Sequence, residues 1–203
     1  MLETVITIIN SDMANPFENI RTNAGEQDRS FRWYQDNVRK VASNITSFSN
    51  ASKSDLGEFV TRLEPGNMYM YVYDPKYKDS LPYWDQFPLC LPFDDISGGF
   101  VGINMHYLPY LQRAKLLGEL LNYTDKNISE KSKIEVSWSV LKNFGKFPQV
   151  KPSVKKYLYS QVNSRFFKIN PEHWKAAIFL PTQNFEGASQ QKVYRDSRDI
   201  ING

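Results

Sequence analysis

The stretch "NMYMYVYDPK", residues 67–76, constrains the fold more than any other part of the chain. Met68, Met70 and Val72 alternate with Tyr69, Tyr71 and Tyr73. A period of two belongs to a β-strand, because successive side chains leave it on opposite faces. The pattern predicts a strand with one aliphatic and one aromatic face. Asp74-Pro75 then begins a turn. "FPLCLPF" predicts a second extended run. Its Pro88 and Pro92 cannot donate to a ladder, so it should lie at a sheet edge or contain a bulge. "DDISGG" is a loop in which glycine supplies positive φ, and "FVGINMHYL" is a third strand. Three sequential strands, Tyr69–Tyr73, Phe87–Phe93 and Phe100–Tyr107, predict an antiparallel meander, or a small barrel if it closes.

Helical periodicity flanks this block. In "DRSFRWYQDNVRKVASNITSF", Phe31, Tyr34, Val38, Val41, Ile45 and Phe48 form one continuous stripe, with Arg32, Asp36 and Lys40 on another face. "SKSDLGEFVTRLEPGN" predicts a short helix through Leu56, Phe59, Val60 and Leu63, capped by Ser52 or Ser54 and stopped by Pro65-Gly66. In "LPYLQRAKLLGELLNY", Tyr110, Ala114, Leu117 and Leu121 are widened by Leu116, Leu120 and Tyr123, so this helix should be deeply buried. "SWSVLKNF" and "KPSVKKYLYSQV" read as further short helices, the latter with Pro152 near its start. "RFFKI" reads as a strand. "NPEHWKAAIFL" has Asn170 as N-cap, Pro171 at the first position and Glu172 in the first turn. From Pro181 onward the pattern predicts an extended tail.

The predicted class is therefore α+β, a small antiparallel meander or barrel-like sheet flanked by helices. It is expected to be one domain over 1–203: a helical part at about 15–64, the meander at about 67–108, a helical basic part at about 109–180, and the tail at 181–203. A chain of 203 residues can bury a core without staples. The opening "TVITIIN" lacks a basic flank and is too short for a signal peptide or a membrane span. The four sequons at Asn44, Asn50, Asn122 and Asn127 are read as chance matches.

Catalytic patterns are missing from the sequence. It has no glycine-rich phosphate loop and no nucleophile elbow. Cys90, the single cysteine, lies between leucines and reads as a buried structural thiol. The two histidines, His106 and His173, are too few to build a metal site without a carboxylate cluster. His106, in a predicted strand, reads as a structural histidine. Asp94-Asp95 reads as a turn. The expectation is a protein with no catalysis, no metal, no cofactor and no small-molecule substrate.

Charge is the informative quantity. The net value is +3, yet residues 1–110 hold 9 basic and 14 acidic side chains, and residues 111–175 hold 13 and 5. A basic second half suits an anionic partner, although solvated lysines serve solubility equally. "VLKNFGKFPQVKPSVKKYLYSQVNSRFFKI" interleaves cations with aromatic rings. Lys142, Lys146, Lys151, Lys155, Lys156, Arg165 and Lys168 are the candidate DNA contacts. Phe144, Phe147, Tyr157, Tyr159, Phe166 and Phe167 are either stacking rings or core. Arg113, Lys115, Arg195 and Arg198 form a second set of candidates.

Three blocks carry a family resemblance. "GNMYMYVYDPKYKDSLPYWDQFPLCLPFDDISGGFVGINMHYLPYLQRAKLL", "PEHWKAAIFLPTQNFEGASQQKVYRDSR" and "RSFRWYQDNVRKV" together resemble the DNA end protector proteins of large contractile-tailed, T-even-like bacteriophages. The resemblance covers nearly the whole chain. It implies a late head-completion protein of the virion that sits on the end of packaged double-stranded DNA. It also implies a block to host exonuclease after injection, in the host cytoplasm, and contacts with other phage head, neck or tail proteins, with no membrane partner. A structural neck, tail or baseplate component that grips proteins and no DNA is the alternative. A nuclease is the weakest reading, since no acidic metal cluster is visible.

Overall fold

In the computed structural model the described residues are 31–41, 45–122 and 146–203. The alternation of residues 68–73 sets the architecture. One six-stranded sheet runs from edge to edge through β1 (Gly57–Val60), β7 (Phe166–Ile169), β2 (Met68–Met70), β4 (Leu89–Ile96), β5 (Gly99–Asn104) and β6 (Val154–Leu158), and every neighbouring pair is antiparallel. A two-stranded ribbon joins β3 (Trp84–Asp85) to β8 (Phe185–Glu186). Five α-helices are described: α1 (Phe31–Val41), α2 (Phe48–Ala51), α3 (Tyr110–Asn122), α4 (Trp174–Ala177) and α5 (Gln190–Asn202). The fold is α+β, and β2, β4 and β5 form the expected meander at the sheet's centre.

Both faces of the sheet are buried. Met68, Met70, Leu89, Leu91, Ile103, Phe167 and Ile169 join Val38, Leu117, Leu120, Trp174 and Ile178 in an aliphatic core. Tyr69, Tyr71, Tyr73, Cys90, Phe100, Tyr157 and Phe166 make a second, aromatic core on the opposite face. Tyr71 is its hub, with edge-to-face contacts to Phe100, Tyr157 and Phe166 at 5.9, 5.4 and 5.4 Å. Such pairs contribute about 0.5–1.5 kcal/mol each beyond area burial. The sheet curls around this face. A single bridge joins Tyr73 to Val162, and the Asn163 amide donates to the Val72 carbonyl at 2.8 Å. It does not close into a barrel.

Proline and glycine chemistry explains the centre of the sheet. β4 is an interior strand, and it accommodates Pro92 through a register shift between Pro92 and Asp94, the bulge the prolines require. Gly98 turns β4 into β5 with φ of 73°. Gly102 lets β5 approach β4 closely, since a Cβ there would lie 2.3 Å from Cys90 Sγ.

Several elements differ from the sequence expectation. Residues 57–60 form strand β1, not part of a helix, because Phe59 and Val60 pair with Phe167 and Phe166. The stripe from 31 to 48 is not one helix: residues 45 and 46 are not helical, and Ser47 caps a separate α2 by accepting from the Asn50 amide. Pro152 opens only a 3-10 turn at Lys151–Ser153, and the chain then runs as β6, pairing with β5. Strand β5 stops at Asn104, where its side chain accepts from the His106 amide and starts a 3-10 turn. Asn170 makes no side-chain cap, and Pro171–His173 is a 3-10 turn leading into the four-residue α4. The tail is helical as α5, with Ser189 accepting from the Lys192 amide. "SWSVLKNF" lies outside the described residues.

The close approach at Gly102 yields a test. Gly102→Ala should destabilise the protein by about 1–3 kcal/mol, as overpacking does. Cys90→Ala in the same chain should recover part of that loss, read as a coupling in a double-mutant cycle of urea unfolding. Strict additivity would contradict the packing described.

Candidate nucleic-acid interface

The structure separates the candidate cations. Lys142 lies outside the described residues. Lys146 and Lys151 are exposed, Lys151 in the turn before β6. Lys155 and Lys156 are neighbours on β6, an edge strand among the described residues, so they leave it on opposite faces. Arg165 and Lys168 sit with β7, on the far side of β2, β4 and β5. There the Arg165 guanidinium lies 4.6 Å from the Phe59 ring centre, and Lys168 Nζ is 3.3 Å from Glu64. The six described residues are therefore not one patch. Of the interleaved rings, Tyr157, Phe166 and Phe167 are buried core, while Phe147 and Tyr159 are about half exposed. Phe144 lies outside the described residues.

Helix α5 supplies further cations next to the turn that leads into β6. It packs against the Lys151–Ser153 turn and the Met105–Tyr107 turn, where Ser197 Oγ donates to the Tyr107 carbonyl at 2.7 Å. Val193 and Ser197 face inward, and Arg195 and Arg198 are exposed. Lys192 bonds Asp196 at 2.6 Å. The signal for α5 was present in the sequence: Ser189 as cap, then Val193, Tyr194, Ser197 and Ile201 at steps of one, three and four.

Arg113 is withdrawn from the surface. It is fully buried in α3, and its guanidinium donates to the carbonyls of Leu108, Ile178 and His106 at 2.7, 3.0 and 3.3 Å and to the Tyr194 hydroxyl at 2.6 Å. Burial lowers its pKa, while the Tyr194 and Tyr110 rings and hydroxyls counteract this. Lys115, two residues on, is exposed.

Lys155 has the most unusual setting of the predicted cations. Its Nζ lies 3.9 Å from the centre of the Tyr107 ring. Burial pulls its pKa down to about 8. Tyr107 continues into a short ladder of rings, with Tyr83 at 6.0 Å and Phe185 at 5.3 Å between centroids. Tyr83 and Phe185 are half-buried, so their outer surfaces meet solvent. Sequence reading did not single out Lys155 from its neighbours, because the ring beneath it comes from a segment 48 positions away in the chain.

The groups with catalytic side chains are engaged in the interior. Cys90 is buried, and burial pushes its thiol pKa far up. Asp85, His106 and Thr182 stand in a row, with Asp85 Oδ2 2.8 Å from His106 Nδ1 and Thr182 Oγ1 3.2 Å from Nε2. All three are sealed from solvent. Asp85 can only accept, so Nδ1 carries the proton and Nε2 accepts from the threonine. Asp85 also accepts from the amides of Phe87 and Asn184 and from Asn104 Nδ2, at 3.1, 3.2 and 3.1 Å. A row with no solvent access for a substrate is a structural tie. Among the described residues, no group of three or more His, Cys, Asp or Glu side chains is placed to hold a metal ion. No helix among them is long and apolar enough to cross a membrane.

Comparison with known proteins identifies the lineage. The family model described as Phage T4 terminal DNA protecting protein matches residues 2–201, and the chain belongs to that family. No curated protein and no solved structure matches the chain. The family is described by protection of DNA termini and not by a reaction.

The buried histidine predicts a pH response. Burial lowers the folded-state pKa of His106 below its unfolded value near 6.5, and the Asp85 carboxylate opposes this more weakly. The neutral ring is thus the form the fold holds. Its contribution is fully present above about pH 6.5 and is lost as pH falls through the folded-state pKa. Melting temperature measured from pH 7.5 downward should fall more steeply for the native protein than for His106→Gln, which cannot take up that proton. Parallel profiles would refute the assignment.

Proposed function

We propose that this protein binds the end of a phage's double-stranded DNA within the virion and shields that end from host exonuclease. The observation that carries this reading is the family match across residues 2–201. The mode is occlusion. Cations neutralise phosphates near the terminus and release condensed counterions, and the bound protein denies an exonuclease its substrate. The contact surface proposed is the β6 edge together with α5, where Lys151, Lys155, Lys156, Arg195 and Arg198 lie on adjoining elements. Arg165 and Lys168, across the sheet, are left as the weaker part of the original set. Contacts with other head, neck or tail proteins belong to this reading as well.

The experiment compares a short linear duplex with a closed circle at two salt concentrations. Binding to the linear form is expected to be tighter. Changing Lys151, Arg195 and Arg198 together to Gln should weaken binding to every sequence alike. It should also flatten the slope of log K against log salt by up to roughly 0.9 per lost contact. Arg165→Gln with Lys168→Gln should change the slope less. An equal effect of the two variants would remove the proposed surface. Absence of binding at low salt would favour a neck or tail component instead.

A further inference from the structure

We propose that Lys155, seated on the Tyr107 ring at the edge of the sheet, is the receptor for the terminal phosphate monoester of a DNA end. The inference rests on the DNA-end reading above and names the group by which that end is recognised.

The first observation is an uncompensated charge. Among the described residues, other half-buried or buried cations have partners: Lys168 has Glu64, and Arg113 has three carbonyls and a tyrosine hydroxyl. The Lys155 amine has no ion pair or hydrogen bond with any described residue, only the face of Tyr107. Removing an ammonium from water without a counter-charge is unfavourable, and a ring face offsets only part of it. An incoming anion completes the site. The lowered pKa, about 8, is the same desolvation seen from the proton's side.

The second observation is the apolar frame. The Tyr107 ring under the amine is tilted 32° against Tyr83, and Phe185 meets both tyrosines edge to face. The interior of a duplex presents diesters that stay solvated and carry one charge each. A recessed amine beside rings suits a phosphate that protrudes. The monoester at a chain end protrudes, carries nearly two charges and offers three free oxygens to a three-donor ammonium. The partly exposed rings then meet the open face of the last base pair, where stacking is indifferent to sequence.

Other charged and titratable groups around the amine are already committed. Asp85 is held by His106, Asn104 and two backbone amides. Asp196 on α5 is held by Lys192, whose Nζ stands 5.6 Å from the Tyr83 ring. Tyr83, Tyr107 and Tyr157 have pKa values raised by burial and stay neutral.

The test uses the full chain with three DNAs of one sequence: a linear duplex with 5′-phosphates, the same duplex with 5′-hydroxyls, and a closed circle. The native protein should prefer the phosphorylated ends by about tenfold, the worth of a charge-assisted contact. That preference should shrink by about tenfold from pH 7 to pH 9, as the amine loses its proton through a pKa of about 8. Lys155→Met should abolish the preference and its pH dependence. Because it removes an unpaired, half-buried charge, it should fold with an unchanged or higher melting temperature. Lys155→Arg should keep the preference and lose the pH dependence. Equal binding of phosphorylated and hydroxyl ends, or an undiminished preference in Lys155→Met, overturns the proposal while leaving DNA-end binding intact. Failure of the native protein to bind any of the three at low salt overturns both readings.

Discussion

Two opposite charges are buried in this protein without touching each other, and most of the tertiary structure depends on how they are satisfied. Asp85 and Arg113 are joined through His106, which donates from Nδ1 to the carboxylate and accepts from the guanidinium at its carbonyl. Neither charge is tolerable in an apolar interior unless its hydrogen-bonding capacity is filled. The groups that fill it come from distant parts of the chain. Asp85 gathers residues 87, 104, 106 and 184, and Arg113 gathers 106, 108, 178, 183 and 194. The ribbon, the end of β5, α3, the segment after α4 and α5 are thereby held by one polar chain. Apolar surface would drive these elements together in many arrangements. Directional bonds to two immobile charges select one.

That selection bears on the candidate interface. Helix α5, which carries Arg195 and Arg198, is held against the Lys151–Ser153 turn and the Met105–Tyr107 turn, with Tyr194 reaching Arg113 and Ser197 reaching the Tyr107 carbonyl. Tyr107 in turn lies directly after His106 and supplies the ring under Lys155. Lysines on an edge strand have an ordinary explanation, since they discourage pairing with another chain's strand. Lys156, exposed on the outer side, fits that explanation fully. Lys155 does not, because an amine folded onto a ring is withdrawn from the edge it would otherwise guard.

Legibility in the sequence followed burial. The alternation over Met68–Tyr73 announced two cores, although the strand itself covers only Met68–Met70 and Tyr73 adds a single bridge to Val162. The α+β class, the meander and the bulge at Pro92 were readable for the same reason. The edge strands were not. Leu56, Phe59, Val60 and Leu63 satisfy helical spacing, and only pairing with Phe166 and Phe167 makes residues 57–60 a strand. In "SVKKYLYS" the half-exposed β6 gave an equally weak pattern, and Pro152 pointed to a helix that stops after one turn. Arg113 was readable in hindsight: it stands three and four residues before Leu116 and Leu117, inside the apolar stripe. A charge there is buried with partners, not solvated. Lys155 carried no comparable signal, since its environment is made by Tyr107, Tyr83 and Phe185 from three other segments.

In the proposed reading, end protection poses a problem of place more than of affinity. The interior of a long duplex offers one negative charge per about 1.7 Å, and exposed lysines and arginines accept any of them. A surface made only of solvated cations would spread over the whole molecule and guard no terminus. Two features belong to an end alone: the monoester phosphate and the uncovered face of the last base pair. The exposed cations of α5 and the Lys151 turn accelerate encounter, and their effect is screened by salt. The recessed amine and its rings act only at contact distance, where water is excluded and the attraction is less screened. Capture and placement therefore respond to different variables. Salt governs the first, and the protonation of one lysine governs the second. End protection needs a site this particular, because the object it must find is one position in a long, repetitive polymer.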